Sequence, residues 1–122
     1  MKIERFEDIQ AWQKARELVN HIYSTTNKGY FAKDYGLRDQ LRRASISVMS
    51  NISEGYARQT DKEFAQFLYI ALGSATEVQS LLYSAQDLNY ISKEEFDKIY
   101  KLSSEVARLI TGFIKYLQGT PR

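Results

Sequence analysis

Apolar residues recur along this chain at three- and four-residue steps in four separate runs, the spacing that lines one face of an α-helix. In the first run Trp12, Ala15, Val19 and Ile22 take that spacing with Leu18 beside them, and Glu7 or Asp8 can cap the helix start. In the second, Leu37, Leu41, Ala44 and Val48 fall on one line. The third is the longest: Phe64, Leu68, Ala71, Ala75, Val78, Leu82 and Ala85, with Phe67, Leu81 and Leu88 on a sevenfold line broken at Ser74. The fourth reads Phe96, Ile99, Ser103, Val106, Ile110, Phe113 and Leu117. Leu102, Leu109 and Tyr116 run alongside it, and Ala107 and Ile114 lie on the opposite flank. These runs predict helices over about 8–25, 34–57, 61–89 and 93–118, in one domain covering residues 1–122.

The punctuation between the runs agrees. Thr60-Asp61-Lys62-Glu63 and Ser92-Lys93-Glu94-Glu95 read as capping boxes, and Ile91 with Phe96 adds a hydrophobic staple. Gly55 reads as the stop of the second helix, and Gly119 with Pro121 as the end of the fourth. Residues 24–36 form a loop with breaks at Gly29 and Gly36, whose aromatics Tyr30, Phe31 and Tyr35 are expected to fold over the end of the bundle. Connections of about four to six residues make neighbouring helices antiparallel. The expected fold is all-α, an antiparallel up-down-up-down four-helix bundle. The second apolar lines on the third and fourth helices exceed the stripe that a surface helix buries. Nine tyrosines add the amphipathic surface enriched at interfaces. Association into a homo-oligomer is therefore expected.

The second helix carries another line that no simple core needs. Gln40, Ala44, Ser47, Asn51 and Glu54 advance by four, three, four and three, a seam of small and polar residues. Arg38, Arg42, Arg43 and Arg58 flank it. Written out, residues 37–58 spell L-x-x-Q-L-R-R-A-x-x-S-x-x-x-N-I-x-E-G-x-x-R. This run resembles the signature of the small bacterial four-helix-bundle proteins encoded in intervening sequences of 23S ribosomal RNA genes, which have relatives among the accessory proteins of diversity-generating retroelements. Phe6-Glu7-Asp8 and Ala11-Trp12 near the start, and Phe67-Leu68, Ala71, Gly73-Ser74 and Glu77 downstream, extend the likeness over nearly the whole chain. Ala32 stands where a Pro is common and Ser53 where an Ala is common, and neither touches the polar seam. The resemblance implies a four-helix bundle that assembles into a ring, a homopentamer, and a reverse-transcriptase-like protein as one partner.

Composition narrows the function classes. Hydrophobic residues make up 43% and charged residues 26%, and one Pro and six Gly argue against disorder. There is no Cys, which removes disulfides and thiolate chemistry. The charged start MKIERFEDIQ lacks the apolar run of a signal peptide, and no window reaches the ~20 apolar residues of a membrane span, so a cytoplasmic protein is expected. Net charge is only +2, but it is uneven. Residues 28–62 hold seven basic against four acidic side chains, a local +3, and the remainder carries −1. A basic zone can attract an anionic partner. The plainer reading is a solvated or paired helix face, with Asp39 and Arg43 paired at i,i+4.

Candidate chemistry is sparse. A di-iron bundle needs Glu-x-x-His on two helices, and His21 is the sole histidine. No metal site, catalytic site, cofactor or small-molecule substrate is therefore expected, and the protein is read as non-enzymatic. Ser45, Ser47, Ser50 and Ser53 read as small residues that permit close helix approach. The seam of Gln40, Ser47, Asn51 and Glu54 has two readings: a polar network that sets helix register, with Asn51 and Glu54 satisfying backbone groups, or a partner-binding surface. For RNA or DNA, Arg38, Arg42, Arg43, Arg58 and Lys62 would meet phosphates, and Tyr30, Tyr35 and Tyr56 would stack on bases. The leading expectation is thus an RNA-binding accessory protein working through a basic face. The alternative is a protein-only scaffold that binds a partner such as a reverse transcriptase.

Overall fold

A computed structural model of the chain describes residues 2–119. Four helices account for most of them: α1 (Gln10–Thr26), α2 (Tyr35–Tyr56), α3 (Asp61–Asp87) and α4 (Lys93–Leu117). No strand occurs among the described residues, and the arrangement is consistent with a four-helix bundle. Each helix packs on the next, and α1 also packs on α4, which closes the set around one core. None of these helices is long and apolar enough to cross a membrane.

The longest predicted line is the spine of that core. All seven residues from Phe64 to Ala85 on α3 are buried, and the alternation of Ala with larger residues lets the other helices close in on it. The core has two halves. One joins Ala11 and Ala15 to Val48, Ile52, Leu68 and Ile110; the other joins Leu18 and Ile22 to Leu41, Leu82, Phe96 and Ile99. On α2, Leu41, Ala44 and Val48 are buried as expected and Leu37 is half-buried. On α1 the buried line is Ala11, Ala15, Leu18 and Ile22, so Trp12 and Val19 stand at its rim. Trp12 packs edge-on against Phe6 instead, with ring centroids 5.1 Å apart. On α4 the line ends on Ile114 rather than Phe113 and Leu117, because a strict seven-residue repeat drifts against a helix of 3.6 residues per turn.

The helix ends obey local chemistry with some changes of partner. Ser92 and Glu95 form the full capping box, and Ile91 and Phe96 are buried in the same half of the core. At α3 only half the box forms. Thr60 Oγ1 accepts from the Glu63 N–H at 3.1 Å, and the Glu63 carboxylate takes the Thr60 hydroxyl rather than a backbone N–H. Neither Glu7 nor Asp8 caps α1; both lie in a single 3-10 turn, Phe6–Asp8, and Asp8 Oδ2 accepts from the Glu4 N–H instead. Gly36 lies inside the first turn of α2, and only Gly29 breaks the loop, with φ at +53°. Pro121 lies outside the described residues.

Gly55 is not a stop. It is buried inside the last turn of α2, where an added Cβ would meet Phe64 Cδ1 at 2.7 Å and Phe67 Cβ at 2.8 Å. Its lack of a side chain is what lets α2 and α3 approach there. The second apolar lines are largely consumed within the fold: Phe67, Leu81, Leu102 and Leu109 are half-buried, which leaves Leu88 and Tyr116 exposed. Of the loop aromatics, Phe31 folds in completely and stacks on Tyr90 at 5.0 Å, while Tyr30 and Tyr35 remain exposed.

Candidate functional site

The polar seam has its centre at the contact of α2 with α3. Ser47 and Ser74 share a hydroxyl–hydroxyl hydrogen bond of 2.9 Å, and Asn51 donates to the Ser47 carbonyl at 2.8 Å and to its Oγ at 3.0 Å. These side chains are half-buried, and their hydroxyls and the Asn51 amide N–H find protein partners at this contact. The seam is not buried along its length. Gln40 is exposed and donates to Glu77 at 3.3 Å; Glu54 is exposed, with no side-chain partner among the described residues and no backbone group satisfied. Ser45 is fully buried and donates to the Arg42 carbonyl at 2.9 Å, a back-bond that satisfies its hydroxyl without a partner helix. Ser74 went unnoticed as a partner on sequence grounds; its break in the sevenfold Phe67–Leu81 line was the available signal.

The five basic residues separate into two groups. Arg38, Arg42 and Arg43 sit in the first half of α2, whereas Arg58 and Lys62 flank the turn after it. A 22-residue helix is about 33 Å long, so the two groups occupy opposite ends of it. They do not make one patch on a single chain.

Their surroundings differ as well. Arg38 is half-buried and committed: Nε donates to Asp39 at 2.8 Å, Nη1 donates to the Ala32 carbonyl at 2.9 Å, and the guanidinium covers the Tyr35 ring at 4.7 Å. Arg42 is half-buried too. Its Nε donates to the buried Thr26 Oγ1 at 2.8 Å and its guanidinium covers Tyr23 at 4.5 Å. Asp39 therefore pairs with Arg38, not with Arg43. The Arg38 hydrogen bond, with the charges of Arg38, Arg43 and Arg42 behind it, holds the Asp39 carboxyl below its ordinary value. Arg43, Arg58 and Lys62 are exposed, and Arg58 lies 4.6 Å over the Phe67 ring. None of Arg42, Arg43, Arg58 and Lys62 has a carboxylate within ion-pair distance among the described residues.

The three tyrosines expected to stack on bases are also distributed. Tyr30 and Tyr35 lie beside the first basic group, each ring covered on one face by a cation of the same chain, Lys33 at 5.9 Å and Arg38 at 4.7 Å. Tyr56 is half-buried at the other end against Phe64. Among the described residues no three His, Asp or Glu side chains converge closely enough to hold a metal ion. His21 is half-buried.

Comparison with known proteins adds a family. The family model described as 23S rRNA-intervening sequence protein matches residues 7–112. Among solved structures, the chain is similar to a protein of unknown function from the S23 ribosomal protein family of Bacteroides thetaiotaomicron. That match has 27% identity and a TM-score of 0.78, covering 86% of this chain and 98% of the other. Comparison with curated proteins finds no match.

Proposed function

Because the chain belongs to the 23S rRNA-intervening sequence protein family, we propose that it is a non-enzymatic accessory protein that binds nucleic acid, RNA foremost, through its uncompensated basic residues. The observation that carries this reading is electrostatic. Arg43, Arg58 and Lys62 are exposed with no carboxylate within ion-pair distance among the described residues, whereas Arg38 is paired with Asp39 and Arg42 is half-buried on Thr26. Unpaired exposed cations are free to meet phosphate and release its counterions.

The finer architecture belongs to the same reading. The helices run up-down-up-down: links of four and five residues join α2 to α3 and α3 to α4, and each half of the core draws on the start of one helix and the end of the next. Protomers associate into a closed ring, a pentamer by family resemblance, and repetition around it multiplies a modest basic group into a strong field.

A gel-shift titration with single-stranded and duplex RNA and DNA, at low and moderate salt, tests the proposal. Affinity is expected to fall steeply with salt and to vary little with sequence, because phosphate contacts position without reading bases. Exchanging Arg43, Arg58 and Lys62 together for Glu abolishes binding and preserves helicity, since all three are exposed. Wild-type protein that binds no nucleic acid at low salt refutes it.

One observation favours a protein-only scaffold. Between Phe64 and Gln86, α3 carries a single charged residue, Glu77, yet exposes Tyr69, Ile70 and Tyr83. An exposed helix face so poor in charge suits a protein partner, such as a reverse transcriptase. The titration separates the two readings.

A further inference from the structure

An open groove of about 1010 Å³ lies where the N-terminal residues, the α2–α3 turn and the last turns of α4 meet. Its aromatic residues form a connected series. Tyr56 packs edge-on against Phe64 with ring centroids 6.1 Å apart, Phe64 lies 5.2 Å from Phe113, and Phe113 lies 5.9 Å from Tyr116. Burial falls along the series, from Phe64 in the core to Tyr116, which is 70% exposed. Unlike Tyr30 and Tyr35, the Tyr116 ring has no covering cation among the described residues.

Three cations line the same groove, Lys2, Arg58 (whose guanidinium also covers Phe67) and Arg108, all exposed and all without a carboxylate within ion-pair distance among the described residues. Two carboxylates, Asp8 and Asp61, also border the groove. Asp8 Oδ2 accepts from the Glu4 N–H, and Asp61 lies in the first turn of α3, where the helix dipole favours a negative charge. Only Arg58 belongs to the basic cluster legible in the sequence. Arg108, fifty residues later, reaches the groove only through the fold.

Resting on the nucleic-acid reading above, we propose that this groove is a binding site for single-stranded nucleic acid, with a base stacked on Tyr116 and the flanking phosphates held by Arg58 and Arg108. An open aromatic face beside unpaired guanidiniums matches the two demands of an unpaired strand, stacking for bases and charge for the backbone. A duplex satisfies the second demand and not the first, because its bases are already stacked. The groove therefore favours single strands, and its selectivity for sequence is low.

The test is fluorescence anisotropy with a labelled oligouridylate roughly ten nucleotides long, and with a duplex of equal length. Wild-type protein is expected to bind the single strand more tightly. Tyr116→Ala weakens that binding about tenfold and hardly alters duplex binding; Tyr116→Phe, which keeps the ring, restores it. Arg108→Glu weakens both, while Lys98→Glu, an exposed cation in the half of α4 away from the groove, leaves both unchanged. Circular dichroism confirms that each variant remains helical. Single-strand binding unchanged in Tyr116→Ala, or equal losses for single strand and duplex, overturns the groove while nucleic-acid binding itself stands. No binding by wild type at low salt overturns both.

Discussion

The hydroxyl of Tyr90 donates a 2.9 Å hydrogen bond to Oδ2 of Asp34, 56 positions earlier in the chain. The other oxygen of the same carboxylate accepts from the Leu37 N–H at 3.1 Å and so caps α2. One aspartate thus ties the start of α2 to the α3–α4 connection, over the buried ring of Phe31 stacked beneath Tyr90.

This pair predicts an alkaline dependence. The hydrogen bond to Asp34 raises the Tyr90 phenol above its ordinary value of 10.0, with burial and the Asp34 charge adding in the same direction. A group whose folded-state pKa is raised contributes stability that is fully present below its unfolded pKa and is lost as pH rises through the folded value. Tyr90→Phe should therefore lower stability at neutral pH by a constant amount. The difference from wild type should shrink above pH 10, as followed by denaturant unfolding across pH.

Gly55→Ala should destabilise the protein by about 1–3 kcal/mol, although Ala is the better helix former. The new methyl would collide with Phe64 Cδ1 and Phe67 Cβ, and the second of these is fixed to the α3 backbone and cannot rotate away. A midpoint in urea equal to that of wild type would show that α2 and α3 tolerate a wider separation.

Ser47 and Ser74 should be energetically coupled. Their 2.9 Å contact predicts an interaction energy of about 0.5–1.5 kcal/mol in a double-mutant cycle of Ser47→Ala and Ser74→Ala. Strict additivity of the two single changes would mean that water replaces either hydroxyl at no cost.

Adjacent arginines should behave differently. Arg42→Ala removes a hydrogen bond to Thr26 and the cover over Tyr23, for a loss of about 1–2 kcal/mol. The loss stays modest because the buried Thr26 hydroxyl still donates to the Ile22 carbonyl at 2.7 Å. Arg43→Glu, on the exposed side, should stay within about 0.5 kcal/mol of wild type. Thermal unfolding of both variants checks the order, and the reverse order would mean that Arg42 is the ligand-facing residue of the two.

Much of the fold was written in periodicity, and the reason is local. A helix turns by a constant angle per residue, so the step between Phe64, Leu68, Ala71 and Ala75 identifies the buried face of α3 whatever packs against it. The Ser92–Glu95 box is equally local, since both partners lie within one turn. Where the expectation slipped, a long-range contact decided the outcome. Ala11 displaced Trp12 from the core line because α1 must come close to its neighbours and a small residue permits that. Gly55 looked like a stop from its own propensity, and only the position of Phe64 and Phe67 makes it a point of close approach.

The candidate site divides along the same boundary. That residues 28–62 are basic was determined by the sequence, because charge is a property of each side chain alone. Which of those cations remain free is a property of the tertiary structure. Arg42 is held by Thr26 from α1, and Arg38 by the Ala32 carbonyl of the loop, while Arg58 finds Arg108 and Tyr116 as neighbours across a groove. A guanidinium is captured or left open according to what the fold brings within about 3 Å of it, and residues far apart along the chain meet only once the helices have packed.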